Sequence, residues 1–126
     1  MVYRKDEIKE TIHMSNIKRI DGFDYPMGYE TIVDLNLVDF EYWYFIPDSQ
    51  LDNRYNGMKE RYPNRKYIPF ARRDDNDDIA CFEEGKGEKV FIVHDFADEG
   101  YEQRKIYDNI WHWMKAAIDE LIEENQ

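Results

Sequence analysis

Two short apolar runs, Asp78-Ile79-Ala80-Cys81-Phe82 and Val90-Phe91-Ile92-Val93-His94-Asp95, flank the polar, glycine-containing segment Glu83-Glu84-Gly85-Lys86-Gly87-Glu88. No other feature restricts the fold as tightly. Each run is too short for a core helix, β-branched and aromatic side chains suit a pleated backbone, and the glycines between them supply turn chemistry. The pattern predicts a β-hairpin with acidic ends, preceded by the extended run Ile68-Pro69-Phe70-Ala71. Strands are expected over 66–70, 78–83 and 88–94. The last is apolar on both faces, as a central strand covered by two layers must be.

The rest of the chain reads as helices and turns around that sheet. Ile8 and Ile12 share one face of a short helix over 4–14, and 15–21 has the composition of a weak strand. Asp21-Gly22 and Pro26-Met27-Gly28 are turn sequences, followed by a short helix over 29–36 that carries Ile32, Val33 and Leu35. The aromatic density of 39–46 favours extended backbone, with Trp43 as a core residue. A helix then begins at a cap supplied by Asp48 or Ser49. Leu51, Tyr55, Met58 and Tyr62 follow at helical spacing, and Pro63 ends it. That spacing continues through Asn56-Gly57, so the helix is read across the glycine at a cost of about 1 kcal/mol. Residues 97–105 are polar and are read as loop. A final amphipathic helix over 108–123 presents Ile110, Trp113, Met114, Ala117, Ile118 and Leu121 on one face, with Asp108 as its N-cap. The expected fold is α+β, one domain over 1–126, with a twisted, largely antiparallel sheet wrapped by helices and the C-terminal helix packed on it.

Composition excludes several functions. A chain of 126 residues with 16% aromatic content can bury a core without disulfides or metal. The net charge of −11 opposes nucleic acid and anionic membranes, and the same field accelerates encounter with a basic protein. Cys81 is the lone cysteine, so no intramolecular disulfide is expected. Met1-Val2-Tyr3-Arg4-Lys5 carries no apolar secretory run, no segment has the length to span a bilayer, and a cytoplasmic location is the expectation.

The candidates for chemistry cluster at one end of the hairpin. Asp74-Asp75-Asn76-Asp77-Asp78 is rich in hard oxygen ligands, but a helix-loop-helix calcium site starting at Asp74 wants glycine and glutamate where Ile79 and Gly85 stand. With the turn centred on Gly85-Lys86, Cys81 falls opposite Val90 and His94 near Asp77, too far apart for a thiol–imidazole pair. Asp77, Asp78, His94 and Asp95 gather instead, and carboxylates around an imidazole suit either acid–base chemistry or an acidic rim that grips a partner. His13 and His112 lie on other elements, and there is no glycine-rich phosphate loop, Gly-x-Ser-x-Gly elbow or Cys-x-x-Cys. Trp111 is the aromatic best placed for a surface contact. The partner-binding set expected is Asp74, Asp75, Asp77, Asp78, Glu83, Glu84, His94, Asp95 and Trp111. The competing readings are a small hydrolase or other enzyme using His94 with Asp77, Asp78 or Asp95, and a regulatory scaffold with no toxin partner.

The order of Ile68-Pro69-Phe70-Ala71, the acidic gap, the hairpin strands and a final helix bearing Trp111 and Trp113 resembles the SUKH superfamily, bacterial immunity proteins related to the yeast cell-wall assembly regulator. The resemblance covers 43–121. The first forty residues depart from the family's commoner form, lacking its long leading helix and the glycine-rich turn after it. What the resemblance implies is an α+β domain that acts by binding, without catalysis or cofactor, and neutralises a protein toxin, often a nuclease. A basic toxin would suit the acidic chain.

Overall fold

The computed structural model describes residues 19–126. The helix expected over 4–14, with His13, lies outside the described residues, as does most of 15–21. Arg19 and Ile20 are in no strand, and Asp21-Gly22 forms the expected turn. The elements in order are α1 (Met27–Asp34), β1 (Trp43–Phe45), α2 (Asp48–Arg61), β2 (Tyr67–Arg73), β3 (Asp78–Glu83), β4 (Val90–His94), β5 (Gln103–Tyr107) and α3 (Ile110–Glu124). The strands form one antiparallel meander in the order β1-β2-β3-β4-β5. The α+β architecture with a C-terminal helix on the sheet is as expected.

Alternation along the strands sorts the side chains to two buried faces. Phe70, Phe82 and Ile92 point to the side holding α1 and α3. There Phe70 stacks on Phe82 at 4.6 Å and meets Trp113 edge-on at 5.2 Å, while Trp43 meets Trp113 edge-on at 5.5 Å. Tyr29 of α1 reaches Phe45, Phe70 and Phe82 in the same cluster. Gly28 lets α1 press on the start of α3: a Cβ built there would lie 2.9 Å from both Ile110 Cγ2 and Trp111 Nε1. The opposite face carries Tyr67 and Cys81 and is covered by α2 through Leu51, Met58 and Tyr62, all buried. Tyr62 packs edge-on against Tyr67 at 6.1 Å. β4 is buried on both faces from Val90 to Val93.

Several local expectations are corrected by the structure. Pro26-Met27-Gly28 opens α1, with extended Pro26 at its N-cap, and extended Pro47 caps α2; Asp48 and Ser49 are helical. Proline's fixed φ places the residue before a helix in the required extended geometry without a side-chain bond. At α3 the cap is Asn109, whose side chain accepts from the His112 amide, and Asp108 stands outside in solvent. The buried stripe of α3 is Ile110, Trp113, Met114 and Ala117; Ile118 is exposed and Leu121 half-buried. The hairpin register is one residue longer than a turn centred on Gly85-Lys86 allows, because Gly85 and Gly87 both adopt positive φ and widen the connection. Cys81 pairs with Phe91 and His94 with Asp78. The segment read as loop contains β5.

Candidate functional site

The residues singled out in the sequence fall into separate environments. Asp74, Asp75 and Asp77 are exposed in the β2–β3 turn, and Asp78 begins β3. His94 Nδ1 lies 2.8 Å from Asp78 Oδ1 as a cross-strand pair, so the hairpin brings these two together as the topology required. Cys81 is fully buried on the other face of the sheet, where burial pushes its thiol well up and away from reactivity. Glu84 is exposed beyond the far end of β3, with Lys66 Nζ at 3.7 Å. Trp111, 46% exposed, sits on the first turn of α3 beside Gly28.

Glu83 and Asp95 are interior groups, which removes them from any solvent-facing rim. Glu83 is 5% exposed and takes a two-pronged contact from Arg65, Nε to Oε2 and Nη2 to Oε1, each at 2.7 Å. Asp95 is 1% exposed. Its Oδ1 accepts from Arg61 Nε at 2.7 Å and the Phe96 amide at 2.9 Å, and its Oδ2 from Arg54 Nη1 at 2.6 Å and Arg61 Nη2 at 2.7 Å. Burial alone would raise this carboxyl, but the bonds from Arg61 and Arg54 outweigh it and hold Asp95 below the usual carboxylate range. Buried carboxylates demand such partners, and the two arginines stand seven apart on the inner face of α2.

What remains in solvent is an acidic corner larger than the turn itself. The Asp74 amide donates to the Tyr42 carbonyl at 2.8 Å, drawing the β2–β3 turn against the loop that holds Glu41. Arg73, bonded at 2.7 Å to both Asp75 and Glu120, draws in the end of α3. Tyr42 lies among these groups: desolvation in its half-buried position, followed by the fields of Glu124, Glu41, Glu120 and Asp75, pushes its phenol above the ordinary range. Arg73 is the cation at the base of the corner, with Lys105 at its margin. Glu41, Glu120 and Glu124 were not visible as members in the sequence, since only the fold brings the loop and the helix end to the turn. The exposed carboxylates of Asp74 and Asp77 have no ion-pair partner among the described residues.

A concave pocket of about 640 Å³ lies against α2, lined by Asn53, Arg54, Gly57, Arg61, Arg72 and Phe96 among others. Neither His94 nor Asp78 lines it, and the hollow that Asp78 does border is about 160 Å³. No described group of three or more His, Cys, Asp or Glu is placed to hold a metal ion. No helix among the described residues is long and apolar enough to cross a membrane.

A family model for the SMI1 / KNR4 family (SUKH-1) matches residues 13–116. The chain belongs to that family. The match begins well ahead of the stretch at 43–121 that carries the resemblance, and it takes in every strand of the described residues and the first turns of α3. Searches with the chain against curated proteins and against solved structures gave no match. SUKH membership is thus carried by the family pattern.

Proposed function

We propose that the chain is a cytoplasmic, non-enzymatic immunity-type module that neutralises a basic toxin domain by docking it on the acidic corner. Family membership supports a protein that works by binding. The observation that carries the reading is the corner itself, where Asp74, Asp77, Asp75 and Asp78 converge with Glu41, Glu120 and Glu124 around one half-buried arginine. Surface carboxylates at that density, including Asp74 and Asp77 with no ion pair among the described residues, steer a cationic partner and raise its association rate, an effect that salt suppresses. Tyr42 and His94 supply hydrogen-bonding groups between the charges, and Trp111 and Glu84 lie outside this footprint. The hydrolase reading finds less support, because the larger pocket lies away from His94 and the hollow near Asp78 is small.

The test is association kinetics with the toxin domain that co-purification with this chain identifies, for wild type and for Asp74→Lys with Asp77→Lys. Neither side chain holds a structural ion pair, so the variant should fold normally. The association rate should fall about tenfold at low ionic strength and the salt dependence should flatten, with dissociation little changed. Unchanged association kinetics would refute docking at this corner.

A further inference from the structure

We propose that the pocket under α2 is a binding site for a small oxyanion, the shared chemistry of a phosphate monoester and a carboxylate. On a chain of net charge −11, this concavity of about 640 Å³ draws three guanidinium groups to one place. Asp95 neutralises only one charge of the Arg54–Arg61 pair, and its two oxygens are already saturated by the four bonds described above. The pair therefore keeps a net positive charge. It also keeps N–H groups that Asp95 does not use, at Arg54 Nε and Nη2 and at Arg61 Nη1.

Arg72 is the third cation and has no carboxylate partner among the described residues. Its Nε is buried without a hydrogen-bond acceptor, and its guanidinium lies 5.8 Å from the centre of the Tyr44 ring. A buried charged donor without an acceptor is costly, and an anion in the pocket would be the natural compensation. Glu60, the one carboxylate among the lining residues, is exposed.

Arg54 and Arg61 are held in place by Asp95, which favours anion recognition. Gly57 leaves room for Arg61: a Cβ there would lie 2.9 Å from its Nη1. Phe96 borders the pocket with its ring 4.1 Å from the Arg61 guanidinium carbon and 5.9 Å from that of Arg54. It does so while 61% exposed and with a backbone φ of 72°, a conformation that a bulky residue rarely adopts. The side-chain amides of Gln50, Asn53 and Asn56 add neutral donors along the wall. The site faces away from α3 and is separate from the carboxylates of the acidic corner.

The experiment is a titration of the isotopically labelled full chain, followed by amide chemical shifts at low ionic strength, with inorganic phosphate in one arm and acetate in the other, each matched against chloride. Saturable shifts at Gly57, Arg61 and Phe96 are expected in at least one arm. Tighter binding of phosphate assigns a phosphate-bearing ligand, and tighter or equal binding of acetate assigns a carboxylate. Arg72→Gln should weaken the binding about tenfold, the loss of one charge-assisted contact. Asn53→Asp, an exposed change that sets a negative charge on the wall and keeps the fold, should weaken it at least as much. Shifts that do not saturate, that chloride reproduces, or that both variants leave unchanged would overturn the site.

Discussion

Replacing Asp95 by Asn keeps the shape of the side chain and removes the charge that Arg54 and Arg61 share. Asn retains one oxygen, which can still accept from Arg61 Nε and the Phe96 amide. An amide nitrogen takes the other position, where Arg54 Nη1 and Arg61 Nη2 donate, and two accepted bonds become donor–donor contacts. Breaking a buried pair by removing one partner costs about 3–5 kcal/mol. The arginine side chains keep 14% and 28% of their exposure, so water relieves part of the loss and the expected cost is about 3 kcal/mol. For a domain of this size that corresponds to a fall in Tm of about 12 °C at neutral pH, read by circular dichroism and checked by urea unfolding. The pH dependence adds a second readout. The folded Asp95 carboxyl titrates below its unfolded value of about 3.9, so its stabilisation is complete above that pH and is lost as pH falls through the folded value. The gap between wild type and variant should therefore close below about pH 4. A loss under about 1 kcal/mol at pH 7, or a gap that persists in acid, would refute the assignment of Asp95 as the anchor of α2.

The remaining stability predictions concern helix ends and close packing. Asn109→Ala should destabilise the protein by about 1 kcal/mol while Asp108→Ala stays within about 0.5 kcal/mol of wild type, measured by urea unfolding; the reverse ranking would return the cap to Asp108. Gly28→Ala gains about 1 kcal/mol of helix propensity but forces a methyl group into Ile110 and Trp111, at a cost of about 1–3 kcal/mol. Its Tm should fall, and a raised Tm would show that α1 and α3 do not meet so closely.

The parts of the fold that could be read from the sequence are those whose burial is recorded in consecutive residues. Ile79 to Phe82 and Val90 to Val93 are apolar on both faces because both faces of the sheet are covered, and Leu51 and Met58 mark the inner side of α2. β5 left no such trace. Gln103 to Ile106 are exposed at the sheet edge, so no apolar alternation is imposed on them and their strand geometry comes from pairing with β4. The cap of α3 was ambiguous because Asp108 and Asn109 are both good acceptors, and backbone direction at the end of β5 chose between them. Asp95 was misplaced for a similar reason. An aspartate reads as a surface group, and its partners lie 41 and 34 residues away. The usable signal was Arg54 and Arg61, seven apart on the face that also carries Met58, since cations on the inward side of a helix require a buried counter-charge.

That bookkeeping of charge decides where recognition can be tested. Three half-buried arginines are committed to interior carboxylates, Arg54 and Arg61 to Asp95 and Arg65 to Glu83, while Arg73 is bonded to Asp75 and Glu120 of the corner itself. The three interior arginines are thereby withdrawn from the surface, and around Tyr42 Arg73 offsets only part of the charge of Asp75, Glu41, Glu120 and Glu124. Charge reversal therefore has opposite meanings at neighbouring positions of the same sheet end. At Asp95 it would place a cation against two arginines in the interior and unfold the domain. At Asp74 and Asp77 it alters only the surface field, and under the proposed docking a change in association rate there, with Tm unmoved, separates recognition from folding.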